Sequence, residues 1–182
     1  MKKTAILLAE GFEEVEALTV VDLLRRAEIG CDMIALGDAE TVTGSHDINV
    51  RVLGTLRSVS LDGYDGLILP GGQPGTRNLT ADERVLDALR SFNAAGKLTA
   101  AICAAPTVLA AAGLLDGRRA VCYPGLEPQL TGSTGGDGAV EVDGTVITSR
   151  GVGTAIPFAL AIVEYYLGGE KARELARAIV YR

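Results

Sequence analysis

Apolar positions along the chain fall into two rhythms. Short continuous runs at Lys3 to Ala9, Cys31 to Leu36, Gly66 to Leu69 and Leu98 to Ile102 have the length and aliphatic content of strands buried on both faces. Between them, Glu13 to Ile29, Ala81 to Ala95 and Thr107 to Leu115 repeat apolar residues at helical spacing. Gly30 and Gly96 close the first two, and Pro106 sits in the first turn of the third. Strand followed by helix, repeated, predicts an α/β fold with a largely parallel sheet, helices on both faces and ligands at the carboxyl ends of the strands. Two stretches alternate with period two and predict hairpins: Thr41 to Leu53 around Gly44-Ser45, and Ala139 to Ser149 around Asp143-Gly144. A strand at Arg119 to Cys122, a glycine-rich loop from Thr131 to Gly138, and helices over Thr154 to Leu167 and Glu170 to Val180 complete the chain. No internal repeat is present. The glycine-rich loop leads into no helix start, so it reads as a connection and not as a phosphate cradle.

Length and charge narrow the class. With 182 residues, 48% of them hydrophobic, one domain spanning 1–182 is expected. The formal net charge is −6 and no cluster of Lys or Arg interrupts it, so neither nucleic acid nor an anionic membrane is an expected partner. The apolar run after Lys2-Lys3 ends at Glu10, too short for a signal peptide, and Cys103 to Leu115 is too short to span a bilayer; a cytoplasmic location is expected. Cys31, Cys103 and Cys122 form neither a paired framework nor metal spacing. With His46 the single histidine, reduced thiols and no metal or cofactor are expected.

Chemistry concentrates where a strand stops. Cys103 falls on the turn between the Leu98 to Ile102 strand and the following helix, with small Ala101 and Ala105 two positions to either side, as a strand-to-helix nucleophile elbow requires. Such a thiol faces unpaired N–H groups and the positive end of a helix dipole, which lowers its pKa; a buried core cysteine is the competing reading. In the first helix, Glu16 shares a face with Val20, Leu23 and Ala27, while Asp22, Arg25 and Arg26 collect on the other side. Glu16 therefore points at a core or a pocket, where a carboxyl must be paired or protonated; helix-start capping explains its neighbours equally well. Gly71-Gly72, ending the Gly66 to Leu69 strand, allow close approach of backbone to a ligand, and a plain turn explains such a pair as well. Beside an elbow cysteine they would complete an oxyanion site from the N–H groups of Gly72 and Ala104. Val15, Leu18, Val21 and Leu24 add apolar surface to a second side of the first helix, which predicts a two-fold homodimer with this helix at the interface.

The segments GFEEVEA, ILPGG, AAICAAPTVLA and TSRGVGT, in this order and spacing, resemble the ThiJ/PfpI superfamily, related to class I glutamine amidotransferases. The likeness is to the branch of the parkinsonism-associated deglycase protein and its bacterial relatives, and it covers nearly the whole chain. The resemblance implies a flavodoxin-like fold, a homodimer, Cys103 as a reactive and oxidisable cysteine, Glu16 as the acid that hydrogen-bonds its sulfur, and Gly72 and Ala104 as oxyanion donors. Protease-like members carry histidine directly after the elbow cysteine; Ala104 stands there, so peptidase activity is not expected. Deglycase-branch members have a histidine where this chain has Tyr123, a poor base at neutral pH, so a Cys-His pair is missing unless His46 swings in from the hairpin; a surface hairpin residue is the leading reading of His46. Gly71, Tyr123, Arg150 and His46 are the residues expected around the pocket, with Arg150 either holding an anionic group or playing a structural part.

Two functions use these residues. One is a cofactor-independent glyoxalase III or deglycase-like enzyme acting on small 2-oxoaldehydes or glycated groups through Cys103 and Glu16. The other is a redox-sensing or chaperone-like homodimer whose Cys103 is oxidised to a sulfinate without turnover.

Overall fold

The computed structural model describes all 182 residues. Seven strands form one sheet in the order β5 (Gly54–Thr55), β2 (Gly30–Ala35), β1 (Lys3–Leu8), β6 (Gly66–Leu69), β7 (Leu98–Ile102), β9 (Val146–Ser149) and β8 (Val140–Asp143). All neighbours pair in parallel except β8, which joins β9 antiparallel at one edge. The central strands read as unbroken apolar runs because both faces are covered. Ile6, Leu8, Ile68, Ala100 and Ile102 point into a core shared with α1 (Glu14–Arg26), α5 (Ala155–Leu167) and α6 (Gly169–Ala178). Ala5, Leu7, Leu67, Leu69 and Ala101 point the other way, into a core shared with α3 (Glu83–Ala94) and α4 (Pro106–Ala111), and with Leu79 of α2 (Gly75–Ala81). β3 (Thr41–Thr43) and β4 (Asn49–Arg51) form a separate antiparallel hairpin, shorter than the alternation predicts. No helix is long and apolar enough to cross a membrane.

Three expectations are corrected. Arg119 to Cys122 is not a strand: β7 has β6 on one side and β9 on the other, so no edge is free. The segment instead crosses the strand ends, with Val121 N–H donating to Thr148 Oγ1 at 3.0 Å and Tyr123 N–H to the Cys103 carbonyl at 2.7 Å. The helix expected over Ala81 to Ala95 starts at Glu83 because Asp82 is extended and caps it, its carboxylate accepting from Arg84 N–H. A separate short helix, α2, precedes it over a stretch to which, before Ala81, the sequence pattern assigns no element. On α1, Val21 and Leu24 are covered by the chain itself, since α5 packs against this helix; of the expected second apolar side, Val15 and Leu18 remain exposed.

Candidate active site

The carboxyl ends of β1, β6 and β7 lie side by side, and each delivers one part of the site. After β7, the backbone reverses at Cys103 with φ +65°, a left-handed conformation that a non-glycine residue adopts at a cost on the order of 1–3 kcal/mol. The elbow expected from the sequence is present in this strained form. Tight tethers hold it: Cys103 N–H donates to the Ser149 carbonyl at 3.0 Å, and the Cys103 carbonyl accepts from Tyr123. After β6, Gly71 and Gly72 run directly beneath the cysteine. A Cβ on Gly71 would lie 2.6 Å from Cys103 Cβ and 2.8 Å from Glu16 Oε2, so glycine is required for the three residues to meet. Gly72 has φ +90° and presses against the backbone of Phe12 and Glu13, which locks the strand end onto the start of α1.

Glu16 is fully buried on α1, facing inward as its helical position predicts. Its Oε2 accepts from Gly71 N–H at 2.8 Å, while Oε1 has no hydrogen-bond partner. Burial is the main cause that lifts its pKa from 4.5 to about 7, against the pull of the Gly71 N–H and of Cys103. The unpartnered oxygen fits a carboxylic acid whose O–H can point toward the sulfur. The thiol departs from the sequence expectation. Burial, then the charge of Glu16 and the hydrogen bond to it, push Cys103 up to about 12, and the N–H groups of Ala104 and Gly72 recover only part of that. Helix α4 is six residues long, and its dipole does not outweigh the loss of solvent.

The half-buried Cys103 opens into a cleft of about 520 Å³ whose walls include Glu13, Glu16, His46, Gly72 and Tyr123. The loop from Arg150 to Thr154 closes one side. Thr154 Oγ1 shapes that loop by accepting from Arg150 N–H at 3.2 Å and Gly151 N–H at 3.1 Å. In the sequence Thr154 is only a helix start and the last residue of TSRGVGT, five residues after the end of β9, with nothing local to mark its part in shaping the loop. Arg150 lines this cleft and a neighbouring small cavity of about 130 Å³ next to Cys122, and its guanidinium is in no ion pair. Tyr123 lies half exposed at the rim. His46 is a surface hairpin residue, 69% exposed, at the rim of the cleft, with its Nδ1 2.8 Å from Glu14 Oε2. Glu13 and Glu14, which a helix dipole alone would account for, complete that rim cluster.

Comparison with known proteins extends this picture. The family model described as DJ-1/PfpI family matches residues 2–165. Protein dj-1beta of Drosophila melanogaster is 41% identical over 181 residues, 98% of this chain and 97% of that protein. A deglycase of Pyrococcus horikoshii is 34% identical over 151 residues, 81% of this chain and 89% of that enzyme. A DJ-1 superfamily protein of Salmonella typhimurium, 38% identical, superposes over 100% of both chains with a TM-score of 0.95.

Proposed function

The chain belongs to the DJ-1/PfpI family, and on that premise we propose that it is a cysteine-dependent stress-response protein. In this reading it converts small 2-oxoaldehydes, or their early adducts on protein and nucleotide groups, through Cys103 and Glu16. The observation that carries the reading is the meeting of a strained elbow cysteine and a buried acid across Gly71. A thiol pushed up to about 12 is protonated on arrival of substrate, so attack requires a base, and Glu16, at about 7, is ionised often enough at neutral pH to serve. As sulfur bonds to the aldehyde carbon, its proton passes to Glu16. The carbonyl electron pair moves to oxygen within reach of the Gly72 and Ala104 N–H groups. Glu16 returns that proton to the alkoxide, giving the hemithioacetal. As a carboxylate it then takes the C–H proton of the sulfur-bearing carbon and delivers it to the neighbouring carbon, while the hydroxyl proton shifts to that carbon's oxygen. The thioester so formed is cleaved by water to a 2-hydroxy acid and the free thiol. The sum is one water added and no net redox change.

Ala104 in the position after the cysteine and Tyr123 beyond it leave no Cys-His pair, which argues against peptide hydrolysis. Assembly as a homodimer belongs to the same reading. Val15 and Leu18 of α1 are 49% and 36% exposed, and Ile48 of the adjoining hairpin is 50% exposed, an apolar area that a second copy would cover; light scattering should give twice the chain mass. A sensor reading has its own support: N–H groups directed at the sulfur and a protonated acid beside it are suited to holding the oxygens of a sulfinate. Turnover separates the two. Lactate formed from methylglyoxal by the wild type and not by Cys103→Ser supports the enzyme. Mass gain on Cys103 with peroxide and no turnover in either protein supports the sensor.

A further inference from the structure

The β3–β4 hairpin is fastened to the first turn of α1 more tightly than a surface hairpin needs to be. Gly11 N–H donates to the Thr43 carbonyl and Ser45 N–H to the Phe12 carbonyl, both at 2.8 Å. Gly44 approaches α1 so closely that a Cβ there would collide with the Glu14 carboxylate. This fastening brings the one histidine of the chain to two consecutive acids. His46 Nδ1 lies 2.8 Å from Glu14 Oε2 and 3.8 Å from Glu13 Oε1, and the donor atoms of the three side chains all fall within 4.8 Å of one another.

We propose that Glu13, Glu14 and His46 form a binding site for a divalent transition-metal ion, Zn²⁺ by donor type, on the rim of the Cys103 cleft. A tetrahedral ion with arms of about 2.1 Å separates its ligand atoms by about 3.4 Å, between the two distances found here. The carboxylates are preset. Glu14, 3% exposed, is held by His46 N–H at 2.7 Å, by Ser45 Oγ–H at 3.3 Å and by Ile48 N–H at 3.5 Å. Glu13 is 8% exposed, and its Oε2 accepts from Glu16 N–H at 2.7 Å. Its other oxygen, Oε1, accepts no hydrogen bond and lies 3.8 Å from His46 Nδ1. Two adjacent buried carboxylates repel, and a dication held between them relieves that repulsion. Three protein ligands leave a fourth position, and Glu13 and His46 both line the cleft shared with Cys103, so that position opens to the same space as the thiol. An imidazole with two carboxylates favours first-row transition ions over Mg²⁺ or Ca²⁺.

The site goes beyond the cysteine chemistry and is tested separately from it. Reduced full-length protein is titrated with Zn²⁺ against a chromophoric chelator at neutral pH. One Zn²⁺ should bind per chain, with affinity unchanged in Cys103→Ser and reduced roughly tenfold or more in both His46→Gln and Glu13→Gln. His46 is mostly exposed, so its replacement leaves the fold intact and keeps the result interpretable. Failure of the wild type to bind, loss of binding in Cys103→Ser, or unchanged affinity in either rim variant would overturn the proposal.

Discussion

Glu16 and Cys103 meet against one glycine: a Cβ on Gly71 would lie 2.8 Å from Glu16 Oε2 and 3.0 Å from Cys103 Sγ. Neither group has the pKa it would have in water, and both are raised chiefly by burial. In the proposed reaction the elbow therefore brings a base to a protonated thiol.

A pH profile follows from that pairing. Below about 7 Glu16 is protonated and cannot take the thiol proton, so the single-turnover rate of Cys103 with methylglyoxal should rise as pH passes through about 7. In Glu16→Gln the inflection should vanish and the rate at pH 8 should fall by roughly 10² or more. A wild-type profile flat from pH 6 to 8 would mean that the thiolate is already formed.

Accessibility orders the three thiols. Cys31 and Cys122 are each 2% exposed and pushed up to about 11, chiefly by burial, whereas Cys103 opens into the cleft with Glu16 as its base. Limiting iodoacetamide followed by peptide mass spectrometry should find Cys103 labelled first. Earlier labelling of Cys31 or Cys122 would contradict the site assignment.

Arg150 faces the cleft with no carboxylate of its own to satisfy. Arg150→Ala should raise KM several-fold for a 2-oxoaldehyde that carries a carboxylate or phosphate and leave KM for methylglyoxal nearly unchanged. Equal changes for both substrates would assign it a structural part.

Away from the site, Glu141 pins the glycine-rich loop. Arg119, bonded to it at 3.1 Å by two nitrogens, and then the N–H groups of Gly138 and Asp137 lower its pKa to about 2 despite the opposing effect of burial. A carboxylate lowered on folding stabilises above its unfolded value and loses that contribution as pH falls. Glu141→Gln should thus cost on the order of 1 kcal/mol at pH 7, and the difference from wild type should shrink between about 4.5 and about 2. Urea unfolding across that range measures it.

Periodicity alone was enough for most elements here, because period and burial coincide. Gly66–Leu69 and Leu98–Ile102 match their predicted runs residue for residue, since a strand covered on both faces is predominantly apolar, Thr99 being the one polar residue among them. The cysteine at the end of such a run and the acid on the inner face of a helix were legible for the same reason. Sequence also sufficed for the elbow, as only small flanking residues permit it. Arg119 to Cys122 shows the limit of this reasoning: its local pattern is that of a strand, but pairing needs a free edge, and strand order decides which edges are free. Burial of the thiol is likewise a property of the assembled cleft: the end of the apolar run puts Cys103 at the elbow, whereas the loss of solvent that raises its pKa arises only once the chain is folded. The clearest case is the rim. Composition offers one histidine and scattered acids, from which no metal site is expected; only the docking of the hairpin on α1 sets His46 against Glu13 and Glu14, because hydrogen bonds between distant backbone segments leave no periodic trace in the chain.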